Sequence, residues 1–261
     1  MDLHLDGDVA LVTASSSGLG YASAEALARE GAHVAICGRD EERLAAAEAD
    51  LEAVGDGRVL AQPADLTDPA DVSALVDATA DEFGGIDHLV TSAGGPPSGG
   101  FLDMEDRDWY GAYDTLVMSA VWTLREAYPH LDASEKGTWT AITSRSVREV
   151  IDDLVLSNAV RRAVIGLVKS VSHEFGPSVR ANAVLPGAHE TSRIEELVED
   201  AVERGDHETY ADGLAEWGEG VPLERIGDPQ ELGDVVAFLA SDRASYVNGV
   251  SVPVDGGSLR S

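Results

Sequence analysis

Cysteine occurs once in the 261 residues, as Cys37, so no internal disulfide can form and no thiolate cluster can hold zinc. Lys136 and Lys169 are the only lysines; the other strong bases are arginines. Aromatic residues make up 5% of the chain, so Ala, Val, Leu and Ile must fill its core. No apolar run approaches the length of a membrane span. The opening stretch MDLHLDGDVALVTA carries acids where an export signal needs positive charge, which implies a cytoplasmic protein. Bases are outnumbered 18 to 48, for a formal charge of −30. That balance excludes nucleic acid, which requires a basic patch, and disfavours anionic membranes. Two readings of the charge stay open. One is an ordinary acidic protein. The other is a protein of a halophilic cytoplasm at molar salt, where a Debye length of roughly 3 Å screens self-repulsion between surface acids.

What is present is an alternation of short apolar runs and longer helix-forming segments. DVALVT, HVAICG, RVLAQPADL, IDHLVTSAGG, GTWTAITS, VRANAVLPG and GVSVPVD read as strands. Between them lie stretches rich in Ala, Glu, Leu and Arg, including one long helix from about 106 to 131 and another beginning near 154. Pro69 stands where a helix start tolerates it. This order implies a parallel sheet of about seven strands with helices on both faces, a single doubly wound Rossmann domain over 1–261. A charged insertion at about 191–222 keeps apolar residues at Ile194, Leu197, Val198 and Val202, which suits a helical flap with one buried face. Gly205, Gly213, Gly218 and Gly220 are expected to let it hinge. The histidines show no metal-ligand spacing, so no metal site is expected.

The turn between the first strand and the first helix, TASSSGLG, is made of small residues. A helix N-terminus has unpaired N–H groups and partial positive charge, and so attracts a diphosphate. Ser15, Ser16, Ser17, Gly18, Leu19 and Gly20 are the candidate cradle. The second strand ends CGRD, with Gly38 at the place where a carboxylate would bind a ribose 2′-hydroxyl. Arg39 follows, and a guanidinium there suits a 2′-phosphate. This favours NADP(H), with NAD(H) as the alternative; the other reading of Arg39 is a solvated residue opening the next helix.

The chain resembles the short-chain dehydrogenase/reductases, and within them the β-ketoacyl-acyl-carrier-protein reductase-like members. Thr13, Gly18 and Gly20 match the family's TGxxxGxG, with Ala14 at its first glycine. DLTD at 65–68 is similar to the adenine-contacting segment, which implies roles for Asp65 and Leu66. TSAGG at 91–95 takes the place of the family's NNAG and implies cofactor contacts at Ser92, Ala93 and Gly94. LPGAHET at 185–191 is similar to the PGxxxT beside the nicotinamide, implying Pro186, Gly187 and Thr191. The segment from Arg225 to Gly257 is close to the family's C-terminal block. The resemblance also implies a homotetramer or homodimer packed through the two long helices.

The family reduces a carbonyl with a Ser, a Tyr, a Lys and a helix Asn. Ser144 matches the serine. Thirteen residues on stands Ser157 where the tyrosine is expected, and Arg161, four further, takes the lysine place. RAVIGLVKSVSHEFG aligns with the segment after the family lysine and gives the same register. Thr115 occupies the Asn place. Arg161 can bind ribose hydroxyls and is always charged, but it cannot relay a proton. Ser157 can donate a hydrogen bond, yet it is a far poorer acid than a phenol. The competing reading of the pair is a helix N-cap serine and a surface arginine. Tyr110, Tyr113, His189 and Tyr210 are candidate substitute acids. Arg145 and Arg148 either bind an anionic substrate or pair with the many acids. Lys169 lies too far along its helix to be the family lysine. The resemblance implies two possible functions: an NADP(H)-dependent oxidoreductase acting on a small ketone or secondary alcohol, such as a 3-oxoacyl thioester, or a catalytically silent dinucleotide binder serving as sensor or assembly subunit.

Overall fold

A computed structural model describes residues 2–191, 194, 195, 198, 199, 201, 202, 205 and 207–260. The seven strands are β1 (Val9–Val12), β2 (His33–Gly38), β3 (Val59–Pro63), β4 (His88–Thr91), β5 (Thr138–Ile142), β6 (Arg180–Pro186) and β7 (Ser251–Val254). They form one parallel sheet in the order β3-β2-β1-β4-β5-β6-β7. Strands β1, β4 and β5 are buried along their whole length. Burial on both faces explains why they read as unbroken apolar runs.

The helices with described bounds are α1 (Gly18–Arg29), α2 (Glu41–Glu52), α3 (Pro69–Phe83), α4 (Asp106–Tyr113), α5 (Ser119–Ala133), α6 (Val155–Glu174), α7 (Tyr210–Gly218) and α8 (Pro229–Ala240). Two cores result from the alternation of strand side chains. Leu11, Leu89, Trp139 and Ala181 face α3, α5 and α6. Ala10, Val12, Ile36, Val90 and Val184 face α1, α2 and α8. Trp139 is fully buried, and its indole N–H donates to Thr91 Oγ1 at 3.0 Å. Among the described residues no helix is long and apolar enough to cross a membrane.

At the amino edge of the sheet, Asp8 accepts from His88 Nε2 at 3.1 Å and from Lys136 Nζ at 2.6 Å, while His88 Nδ1 lies 2.9 Å from Thr138 Oγ1. Burial works against the Asp8 charge, but the bonds from His88 and Lys136 outweigh it and hold the carboxyl below its ordinary range.

The long helix expected at about 106–131 runs from Asp106 to Ala133, with a π-helical turn at Asp114–Met118 between α4 and α5. A π turn is a tertiary choice that helix-forming composition cannot announce. In the 191–222 insertion, the described residues Ile194 and Val198 are buried against Ile226, Tyr210 and Leu214, while Val202 is half-buried. Leu197 lies outside the described residues. Of the four glycines, Gly205 and Gly220 adopt left-handed turns, with φ of 82° and 77°. Gly213 and Gly218 are buried instead. A Cβ on Gly213 would come 2.6 Å from Val198 Cγ1, and one on Gly218 3.0 Å from Arg225 Cα. Those two sit where a side chain would crowd its neighbours.

Candidate active site

The strand order reverses between β1 and β4, and the loops at the carboxyl ends of both strands meet there. A crevice at such a switch point is where ligands bind in open α/β sheets. Thr13 joins its two sides: its hydroxyl donates to the Ser92 carbonyl at 2.7 Å and accepts from the Ser92 N–H at 2.9 Å. Ser15 has a structural task. It is fully buried, donates to the Val12 carbonyl at 2.6 Å and accepts from the Cys37 N–H at 3.0 Å, tying the turn to β2.

The N-terminus of α1 is open. Asp40, Asp68 and Asp228 cap α2, α3 and α8 with their side chains, whereas Ser17 begins α1 with no side-chain cap. The first-turn N–H groups of Gly18, Leu19 and Gly20 therefore face outward without a partner in the helix. A Cβ on Gly20 would overlap the Ala14 carbonyl oxygen, so the turn and helix can approach this closely only with glycine there. Ala14 itself has φ of 47°, the left-handed region that the family's glycine adopts without strain. Thr191, from the far side of the crevice, lies over Gly18. Pro186 pairs with Val254, and Gly187 N–H donates to the Val254 carbonyl at 2.9 Å, so the segment beside Thr191 is fixed to β7. These features fit a dinucleotide diphosphate.

At the β2 and β3 ends, Arg39 is exposed and makes no ion pair among the described residues. Its charge still acts on Asp65, whose carboxyl is lowered first by the N–H and hydroxyl of Thr67 and last by Arg39. Gly38 packs on Ser16: a Cβ at Gly38 would lie 2.7 Å from Ser16 Oγ. A side chain at Gly38 would therefore require Ser16 to shift. Leu66 is half-buried beside Asp65, while Gly94, beyond half-buried Ser92 and Ala93, is exposed.

Beyond the crevice, Ser144 caps a short 3₁₀ turn, and its hydroxyl oxygen accepts from the Ser146 N–H at 3.1 Å. Ser157 lies in the first turn of α6 and is 6% exposed. Its Oγ is 3.1 Å from Oγ of Ser146, which is fully buried. Ser157 is thus no N-cap; Leu154 holds that position. Asn158 staples the preceding loop instead, accepting from the Ile151 N–H at 3.1 Å and donating to the Ile151 carbonyl at 2.8 Å. Arg161 is no surface arginine either. Part of its surface stays open, but Nε is sealed from solvent with no partner, and Nη1 donates to the Thr143 carbonyl at 3.2 Å. Burial, with no charged neighbour contributing, pushes its pKa down to about 10, so it remains a cation at neutral pH. Arg161 lines a small pocket with Thr91, Ser92, Ala93, Ser119 and Thr143.

Thr115 sits half-buried in the π turn, its carbonyl accepting from Ser119 Oγ at 2.5 Å. It is Ser119, and not Thr115, that reaches the Arg161 pocket. The segment after Gly95 docks on the start of α6, where Val155 N–H donates to the Gly99 carbonyl at 3.3 Å.

The candidate substitute acids stand elsewhere. Tyr110 and Tyr113 are exposed on α4. His189 is buried, with Nδ1 3.3 Å from the Gly187 carbonyl and its ring against Gly227; burial lowers its pKa. Tyr210 donates to Glu190 Oε1 at 2.9 Å; desolvation and that carboxylate push its phenol up to about 12. Arg145 lies 3.8 Å from Glu149, and Arg148 donates to the Ser251 carbonyl at 3.0 Å. Lys169 is far along α6, donating to the Gly249 carbonyl. Sequence reasoning missed Ser146. Its only signal was its place two residues after Ser144, between two arginines.

An open helix terminus at the sheet's switch point, beside a donor-lined pocket holding a cation, defines an α/β dinucleotide-binding oxidoreductase. Comparison with known proteins narrows this. Residues 13–258 match the family model described as enoyl-(acyl carrier protein) reductase. Oxidoreductase UcpA of Escherichia coli (strain K12) is 34% identical over 258 residues, 97% of this chain and 95% of that protein. L-Sorbose reductase from Gluconobacter frateurii, solved in complex with NADPH and L-sorbose, is 30% identical with a TM-score of 0.95 over the whole of both chains. An NADPH-bound short chain oxidoreductase from Pseudomonas aeruginosa PAO1, described as containing an atypical catalytic center, is 31% identical with a TM-score of 0.88 over 97% of each chain. The chain belongs to the short-chain dehydrogenase/reductase family and is an NAD(P)-dependent oxidoreductase. The narrower likeness to ketoacyl reductases finds no support in these relatives.

Proposed function

We propose that this protein is an NADP(H)-dependent reductase of a small ketone, working in reverse on a secondary alcohol, with Ser157 and Arg161 in place of the family's tyrosine and lysine. The observation that carries the reading is Arg161: a cation whose Nε–H is buried and unpartnered, with no carboxylate within ion-pair distance among the described residues. A buried, uncompensated donor is costly unless a ligand completes it. NADP(H) is favoured because Gly38 offers no carboxylate, a side chain there would crowd Ser16, and Arg39 beside it has no ion pair among the described residues. Bound NADPH supplies the hydride. The chain holds the diphosphate at Gly18, Leu19 and Gly20, the adenine at Asp65 and Leu66, and the nicotinamide between Ser92–Gly94 and Pro186–Thr191.

The hydroxyls of Ser144 and Ser157 donate to the carbonyl oxygen as it gains negative charge, and Arg161 raises the positive potential around it. Thr115 acts only through the π turn that presents Ser119. The proton that completes the alcohol comes from water, since the Tyr210 phenol is engaged by Glu190. Lacking a positioned general acid costs about 10²- to 10⁴-fold in rate, so turnover is expected to be slow. The insertion at 191–222 closes over the substrate. The protomers assemble as a homotetramer or homodimer through α4–α5 and α6, in a salt-rich cytoplasm.

The test is NADPH titration in molar KCl, followed by NADPH consumption with a panel led by L-sorbose and a 3-oxoacyl thioester. L-Sorbose leads because of the Gluconobacter neighbour. Turnover of at least one ketone, lost with Arg161→Ala, supports the reading. Tight NADPH binding with no turnover of any ketone sinks it.

A further inference from the structure

The three serines Ser144, Ser146 and Ser157 form one hydrogen-bonded cluster, and only its outer two members match family positions. Ser146 is fully buried. Its N–H is taken by Ser144 Oγ at 3.1 Å, and its hydroxyl has one neighbour, Ser157 Oγ at 3.1 Å. A hydroxyl carries one proton and two acceptor sites. A buried donor without an acceptor costs more than an acceptor with one empty lone pair. If Ser157 donated to Ser146, the Ser146 proton would have no acceptor among the described residues. Ser157 is 6% exposed and can offer its proton to solvent or a ligand, whereas Ser146 is sealed, so the bond is assigned from Ser146 to Ser157.

That direction fixes what Ser157 can do. Its oxygen is occupied as an acceptor, and its own proton has no acceptor among the described residues. Ser144 is in the same state: its oxygen accepts from the Ser146 N–H while its proton is uncommitted. One residue thus orients both hydroxyls, the first through its backbone and the second through its side chain. A hydroxyl that accepts a hydrogen bond is also a stronger donor, because chained bonds polarise one another. We infer that Ser146 is a positioning residue for the reaction: by donating to Ser157 Oγ it commits the Ser157 proton to the substrate's carbonyl oxygen, opposite Ser144. This rests on the proposed reductase function for its kinetic consequence, but not for the direction of the bond.

Two measurements separate the inference from that function. The first is a neutron structure of the NADPH complex, which shows deuterons that X-ray maps at ordinary resolution leave to assignment. The Ser146 deuteron is expected on the line to Ser157 Oγ; a Ser157 deuteron pointing at Ser146 would overturn the inference, whether or not any ketone is turned over. The second is Ser146→Ala, assayed in molar KCl with the best ketone of the panel. NADPH affinity and KM should stay within about twofold, while kcat falls about tenfold, because the lost bond strengthens most as charge develops on the oxygen. An unchanged kcat in a folded, NADPH-binding variant overturns it; a wild type that turns over no ketone counts against the proposed function alone, and the neutron result then decides.

Discussion

Ala14→Gly is expected to stabilise the protein, although it removes a methyl group from a packed turn. Ala14 has φ of 47°, where an L side chain crowds its own backbone at a cost of about 1–2 kcal/mol. Glycine removes that cost. Against it stands the greater freedom glycine gives the unfolded chain, about 0.4–1 kcal/mol. The methyl is only half-buried, so losing it forfeits a fraction of the roughly 0.8 kcal/mol a fully buried carbon would bring. The balance is a gain of about 0.5 kcal/mol. For a chain of this size that raises the melting temperature by about 1–2 °C. Ala14→Val sharpens the comparison, since a β-branched side chain tolerates a positive φ least and should melt below the wild type. Circular-dichroism melts of the three proteins in molar KCl should rank Gly above Ala above Val. Valine above glycine would refute the reasoning, because it would mean that burial and not backbone conformation governs the turn.

Gly38→Asp alone should weaken NADPH binding without creating tight NADH binding, because its Cβ meets Ser16 Oγ at 2.7 Å; adding Ser16→Gly should admit the carboxylate and shift preference to NADH. Titration of each variant with both cofactors checks this, and a single mutant preferring NADH would contradict it. Asp8→Asn should cost about 1–3 kcal/mol at neutral pH by leaving the His88 and Lys136 donors poorly matched. The Asp8 carboxyl is held below its ordinary value, so its contribution is complete above the unfolded pKa of about 3.9 and lost as pH falls through the folded value. The stability gap between Asp8→Asn and wild type, read by denaturant titration, should narrow as pH drops below about 4; a pH-independent gap removes the argument. With a formal charge of −30, the melting temperature should climb between 0.1 and 2 M KCl as repulsion is screened, and a flat profile would count against a salt-adapted surface.

The sheet was legible because its central strands are buried on both faces and so appear as uninterrupted apolar runs such as VALV and TWTAI. Ser157 and Arg161 were singled out by the family resemblance, through their spacing from Ser144, and the structure puts both on α6, with Ser157 bonded to the serine turn. That Arg161 lies sealed at Nε was not legible, because nothing in RRAVIG distinguishes a buried guanidinium from the solvated one beside it. Ser146 stayed hidden for a similar reason: set between Arg145 and Arg148, it reads as surface. The glycines of the 191–222 insertion look alike in sequence, yet Gly220 answers to its backbone angle and Gly213 to the side chain of Val198.

The widened turn at Asp114–Met118 holds one residue more than an α-helical turn, which makes it the one place in this long helix that tolerates shortening. Deleting a single residue there would let α4 and α5 run on as regular helix with the upstream side chains still on their own faces. The same deletion in the regular turns of α5 would swing everything upstream by about 100° around the axis and carry Ala112 off the core.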